Sequence, residues 1–332
     1  SISHCTMALK KRFKKVASWF LKAGIIAFIT LCLVELVYRY QWVDFYKTEW
    51  EFQNKIRTPN LTKKRVLVFG DSFSADTASW VNQWKKDSVM QVFNAAVPGV
   101  GPETFRLIAS NRVEETQPDI VIVQLYEGND LYDLYRPVNW SAFSWGRNVF
   151  WKFSNTFRSL GFINYRLGQA NQDLQSPVNA KTADSFAIPS YDARTKLYLQ
   201  GDVTYPMSMV QLKGEYADQF QTLIEMLQEL KTAAGKNVRF YVLPIPTCVQ
   251  TDRRYVKHYK QMGAKLSMSL LKGHPWADQL KAAGFEVIDP IEVLRQREKQ
   301  GKAVYYENDP HLNPFGQQTV FTYVQKIVKN DR

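Results

Sequence analysis

The sequence predicts an α/β fold of three layers, a parallel sheet with helices on both faces, preceded by one membrane-spanning helix. Three observations predict it. Short apolar runs such as 66–69 and 120–125 alternate with stretches of helical periodicity, the pattern of a buried parallel sheet crossed by helices. Of the 332 residues, 45% are apolar, enough for a sizeable core. Residues 16–38 are almost wholly apolar and follow a basic cluster at 10–15.

The N-terminal part divides into a basic tail at 1–15 and a span at 16–38. At about 1.5 Å per residue the span extends about 34 Å, enough to cross a bilayer core. Residues 23–34 carry no charge, and Lys22 and Glu35 stand near the ends, where long side chains reach the interface. Tyr38, Tyr40, Trp42, Phe45 and Tyr46 follow as an aromatic belt. A cleaved signal peptide is disfavoured because no small-x-small cleavage site follows. The basic cluster and the aromatic flank speak against a buried soluble helix. That cluster puts the N-terminus in the cytoplasm and the globular part outside it, although Arg39, Lys47, Lys55 and Arg57 make the asymmetry modest.

Residues 39–64 read as a polar, partly ordered connector, and 65–330 as the α/β domain. Strands are predicted at 66–69, 89–93, 120–125, 238–243 and 286–288. Helices are predicted at 74–84, 103–115, 216–230, 253–271, 291–300 and 314–329, the last with Pro314 tolerated in its first turn. Between about 131 and 205 the alternation lapses. A structureless loop of that length is unusual, so an inserted subdomain or lid is expected. It is rich in aromatic residues: Trp140, Phe143, Trp145, Phe150, Trp151, Phe153, Phe157 and Phe162. Phe150, Phe153, Phe157 and Leu160 recur at helical spacings, edged by Arg147, Lys152, Arg158 and Arg166. Such a helix suits a membrane interface, a partner's span or the domain's own core. Its position in the chain puts it over the mouth of the site described next.

Net charge is +12 and the pI about 9.4, which suggests an anionic partner. No zinc-finger spacing, basic-aromatic repeat or other nucleic-acid motif occurs, so nucleic acid is not the expected partner. Cys5, Cys32 and Cys248 do not cluster and no CxxC is present, which argues against zinc. Cys248 reads as a small buried apolar residue, and no disulfide or cofactor is expected in the globular part.

Four stretches carry chemistry. Gly70-Asp71-Ser72 ends the first strand, placing a serine where open α/β sheets bind ligands. Asn94 to Gly99 follows the second strand, Glu127-Gly128-Asn129-Asp130 the third, and Asp309-Pro310-His311-Leu312-Asn313 precedes the last helix. A serine hydroxyl needs a base within reach and a group to orient that base. Of the four histidines, His4 lies beyond the span, His258 reads as solvated on a basic helix, and His274 is open to either reading. His311 alone follows an Asp in a loop before the last helix.

Ser, Gly, Asn and His in this order, each in a loop after a strand-like run, resemble the four sequence blocks of the SGNH (GDSL-type) hydrolases over residues 64–330. The resemblance implies a flavodoxin-like domain with Ser72 as nucleophile, His311 as base and Asp309 as its orienter. The commonest pattern puts the Asp three residues before the His. Here 308 is Asn, and the Asp-x-His-x-Asn form of membrane-anchored relatives points to Asp309. An oxyanion hole is implied from the Ser72 N–H, the Gly99 N–H and the Asn129 amide, with Gly101 a close alternative to Gly99. Asp71 and Asp130 are expected to order their loops.

These features imply a membrane-anchored serine esterase or O-acyltransferase. It would act through an acyl-serine on acyl esters of an envelope glycan, acetyl first among them. The resemblance further implies membrane lipid as surroundings and a multi-span membrane acyltransferase as partner. A lipid or lipoyl ester is an alternative substrate. The other class of reading is a non-catalytic docking or glycan-binding subunit, supported by the aromatic insertion and the positive charge. Against it stands the complete set of Ser72, Gly99, Asn129 and His311.

Overall fold

The computed structural model describes residues 2–86, 89–137, 144–172, 181 and 184–330; side chains are described from Lys14 onward and not at 169–172. Trp140 and Phe143 of the aromatic insertion lie outside these residues, as do the side chains of the basic cluster at 10–13.

The chain opens with one long helix, α1 (Ile2–Arg39). Its stretch Lys14–Arg39 is long and apolar enough to cross a membrane, and most of its side chains face outward from the protein. The order within the connector comes from one short helix and one side-chain tie. Residues Lys47–Gln53 form α2, with Trp50 buried. Asn54 exchanges hydrogen bonds with the Asn94 backbone, its amide donating at 2.8 Å and its carbonyl accepting at 2.9 Å. Polar composition concealed this, because the anchoring partners lie some forty residues away.

Five strands follow: β1 (Lys64–Phe69), β2 (Met90–Asn94), β3 (Ile120–Tyr126), β4 (Arg239–Ile245) and β5 (Glu286–Val287). All pair in parallel in the order β2-β1-β3-β4-β5. Val66 pairs with Val92 on one side and Ile120 on the other, and Ile120 in turn with Arg239. Strands covered on both faces should be continuous apolar runs. In β3 all seven residues are buried, with Gln124 the polar exception. This is the flavodoxin-like strand order, in which ligands bind where the order reverses, outside the C-terminal ends of β1 and β3.

The helices in chain order are α3 (Ser72–Ala75), α4 (Trp80–Trp84), α5 (Pro102–Thr116), α6 (Asp130–Leu134), α7 (Trp145–Thr156), α8 (Arg158–Gln172), α9 (Ala193–Gly201) and α10 (Tyr205–Val210). Then come α11 (Glu215–Ala234), α12 (Arg253–Gln261), α13 (Pro275–Ala282), α14 (Ile291–Lys299) and α15 (Pro314–Asn330). α5 packs with α11, while α4 and α14 pack with α15. Three predicted helices are broken. The 74–84 run splits into α3 and α4, with Ser79 capping the second. The 253–271 run ends at Gln261, before Gly263 at φ +100. The 150–160 face is interrupted at Phe157, which takes an extended conformation between α7 and α8.

The insertion serves two places. α7 and α8 pack on each other and α8 on α1, so the Phe150–Leu160 segment does not cover the serine. α9 and α10 do, as the site shows.

Candidate active site

β1 delivers the serine through a tight passage. A Cβ on Gly70 would lie 2.6 Å from Gln124 Oε1 and 2.7 Å from Ser74 Oγ, so only glycine fits beside β3. The same Gln124 oxygen accepts the Asp71 N–H at 3.2 Å and the Ser74 hydroxyl at 2.9 Å. Asp71 caps α3 by accepting the Phe73 N–H at 2.9 Å. Its burial is the main cause that pushes its carboxyl up to about 6. Ser72, the first residue of α3, is left partly exposed.

The histidine loop is fastened from the other side. Asn313 donates to the carbonyls of Ala303 and Tyr305 and accepts the Gly316 N–H at 2.8 Å. His311 Nε2 thereby lies 2.7 Å from Ser72 Oγ, with the imidazole stacked on Phe73, ring centroids 4.7 Å apart. Its Nδ1 lies 2.5 Å from Asp309 Oδ1, which also accepts the His311 backbone N–H at 2.8 Å. Burial works to raise the Asp309 pKa, but hydrogen bonds and charge from His311 bring it below the usual carboxylate range. A carboxylate there keeps the proton of neutral His311 on Nδ1 and leaves Nε2 to accept from the serine. Asn308, at the position of the commoner Asp, donates to the Ser185 carbonyl and accepts the Ala187 N–H. It ties the insertion down and does not touch His311.

Asn129 precedes α6 and shares a small pocket, about 70 Å³, with Ser72, His311, Tyr126, Arg194 and Tyr198. One amide hydrogen goes to Asp133 Oδ2 at 2.9 Å; the amide nitrogen carries a second. Asp133 is also held by Arg194 at 2.7 Å and Arg136 at 2.5 Å. Gly99 stands apart. It sits at an exposed turn, φ +77, and lines a neighbouring cavity of about 110 Å³ with Gly101, Asp133, Arg136 and Arg158. Gly101 is constrained by contact, since a Cβ there would meet Asp133 Cβ at 2.5 Å. The structure thus brings Ser72, His311 and Asn129 to one pocket, holds Asp309 behind His311 and outside the lining, and leaves Gly99 outside it as well.

Two neighbours, Asp133 and Arg194, escaped the sequence reading. Asp133 lies one helical turn after Asn129, a spacing that offered a faint signal; Arg194 had none. His274 is buried between two carboxylates, Glu127 at Nε2 and Asp289 at Nδ1 (2.7 Å). Burial alone would lower its pKa, but the carboxylates raise it to about 10. Asp130 accepts the Tyr126 N–H at 2.8 Å, and burial together with the Asp71 charge holds its carboxyl well above the usual range. His258 is not a solvated surface group: it stacks on Phe186, centroids 4.0 Å apart. Cys248 is buried, and burial pushes its thiol up to about 12. Among the described residues no group of three or more His, Cys, Asp or Glu is placed to hold a metal ion.

Residues 207–332 match the family model described as an SGNH hydrolase-like domain, acetyltransferase AlgX. Asp309 and His311 fall within the match; Ser72 and Asn129 precede it. No curated protein matches the sequence. Among solved structures, an acetyl xylan esterase, AlAXEase, is 11% identical over 80% of this chain and 99% of its own, with a TM-score of 0.41. A GDSL-like lipase from Bacteroides thetaiotaomicron is 12% identical over 86% and 98%, TM-score 0.41. TesA is 14% identical over 80% and 99%, TM-score 0.38.

Proposed function

Because residues 207–332 match an SGNH hydrolase-like family model, we propose that the chain is a membrane-anchored serine esterase or O-acyltransferase. Its substrates are acyl esters of an envelope glycan, acetyl first among them. The observation that carries this reading is the hydrogen-bonded line from Ser72 through His311 to Asp309, opening into a pocket that also holds Asn129. Ser72 Oγ attacks the ester carbonyl while its proton passes to His311 Nε2. The oxyanion is met by the Ser72 N–H and the free amide hydrogen of Asn129. His311 returns the proton to the departing alcohol, leaving an acyl-serine. Water or a sugar hydroxyl then attacks, giving acid or a new ester and restoring the serine. A pocket of about 70 Å³, in which one water needs about 10–15 Å³, has room for a small acyl group such as acetyl. The family description, an acetyltransferase, favours transfer over hydrolysis.

The anchor reading draws on the last turns of α1. Glu35 and Tyr38 are 6% and 3% exposed, Tyr38 belongs to the hydrophobic core, and its hydroxyl lies 2.9 Å from that of Tyr46. Removing α1 as a signal peptide would strip these groups from the folded domain. A retained helix places the pocket beside the membrane, where a multi-span acyltransferase can supply the acyl group.

The test is labelling with a fluorophosphonate probe and turnover of a small acetyl ester. Wild type should carry one adduct on Ser72, and Ser72→Ala should lose both label and turnover, a fall of several orders of magnitude. Full labelling of Ser72→Ala would remove the assignment.

A further inference from the structure

The corner between α7 and α8 is built onto the apolar helix rather than onto the domain alone. The Glu35 carboxylate accepts the backbone N–H groups of Arg158 at 2.9 Å and Ser159 at 2.8 Å, the first two residues of α8. Free N–H groups at a helix start need such an acceptor. One turn further along α1, Arg39 donates to Glu35 at 2.6 Å and to the Thr156 carbonyl, the last residue of α7, at 2.9 Å. Phe157, between the two helices, meets Phe28 edge-on with centroids 6.4 Å apart. Phe28 lies seven residues before Glu35, about 10 Å deeper along the helix axis. The corner therefore descends alongside the apolar span.

Its outward side chains match that depth. Phe153 and Ile163 are 54% and 44% exposed, and on α1 the side chains of Ile25, Phe28 and Ile29 are all more than half exposed. A carboxylate within an apolar span is costly unless paired, and the corner supplies its partners. Lys152 and Arg147 have stems long enough to carry their charge to the headgroups.

We propose that the α7–α8 corner is a second membrane-seated element, with Phe153, Phe157 and Ile163 dipping into the lipid of the leaflet on the domain's side. Lipid is the occupant because Phe157 of the corner meets Phe28 on the exposed apolar face of α1, the face that the anchor reading puts in lipid. The domain is then held at two points and the Ser72 pocket is fixed in height and tilt over the bilayer. This rests on the anchor reading above and adds to it a specific depth for the corner.

The experiment uses the full chain in liposomes of phosphatidylcholine and phosphatidylglycerol. An environment-sensitive fluorophore is attached at Phe153→Cys, or at Lys213→Cys on the exposed domain surface, with Cys5 and Cys32 replaced by serine. Flotation is measured in parallel. The label at 153 should be blue-shifted, quenched by nitroxide lipids and protected from iodide, and the label at 213 should show the reverse. Glu35→Ala should still float and turn over a soluble ester, while its 153 label becomes open to iodide. Iodide access at 153 in a protein that floats overturns the proposal and leaves the anchor standing. Protection from both quenchers overturns it in favour of a protein contact. Failure to float overturns the corner and the anchor together, and leaves the esterase reading to the Ser72 test.

Discussion

His274 should be costly to remove although it lies outside the serine pocket. It is 4% exposed, with Glu127 fully buried against one nitrogen and Asp289 against the other. The second Glu127 oxygen accepts from Gln250 at 2.9 Å. Replacing His274 with alanine leaves Glu127 without its cation and in no contact with water, a loss of about 3–5 kcal/mol. Linkage gives a similar size. A rise from 6.5 to about 10, at about 1.4 kcal/mol per unit, bounds the contribution near 5 kcal/mol. The folded pKa lies above the unfolded one, so this stability is complete below pH 6.5 and is lost as pH rises through about 10. Thermal unfolding in detergent, followed by near-ultraviolet circular dichroism, should show His274→Ala melting on the order of 10 °C below wild type at pH 6–7. The gap should narrow as pH approaches 10. Because Glu127 leads directly into Gly128 and Asn129, ester turnover should fall as well. Equal melting temperatures at pH 7, or a gap that widens toward pH 10, would refute the imidazolium clamp.

Other outcomes follow from the pocket. His311→Ala should be nearly as inactive as Ser72→Ala, while Asp309→Asn should be milder; initial rates on a soluble acetyl ester decide it, and full activity with both Asn308 and Asp309 replaced by alanine would indicate a dyad. Arg194→Gln should loosen Asp133 and with it the Asn129 amide, lowering kcat with little change in KM. Arg194→Lys should recover part of the rate, and a pure rise in KM would instead make Arg194 a substrate contact. Protease applied to cells with a permeable outer envelope should cut the domain after residue 47, and full protection there would reverse the topology.

How far the fold was legible depends on where each element finds its partners. β1, β3 and β4 are buried on both faces, so their apolar runs announce themselves, and the loops at their C-terminal ends are where an α/β sheet places reactive groups. Ser72 was readable for that reason, and His311 because it alone follows an Asp in a loop before the last helix, although 239 residues separate the two. The insertion was not readable. Its helix starts and stops are decided by distant groups: Glu35 ends the N–H deficit of α8 from 123 residues away, and Asn308 fixes the segment before α9 from 121 residues away. A periodicity running through 150–160 promised one helix, but the cap at Glu35 requires a new helix to begin at Arg158. His274 failed to register for the same cause, its acidic partner Glu127 lying 147 residues earlier. Gly99 shows the converse limit. A motif spacing selects a residue but cannot say which cavity its N–H faces, and here Asp133, pressed against Gly101 and bonded to Asn129, stands between the two cavities. The polar groups that link those cavities, Asp133 with Arg136 and Arg194, join the pocket to the side of the domain that meets α1 and the α7–α8 corner. Asn155 near the end of α7 donates to the Arg136 carbonyl, Arg136 pairs with Asp133, and Asp133 accepts from the Asn129 amide, so the corner and the pocket share one polar chain.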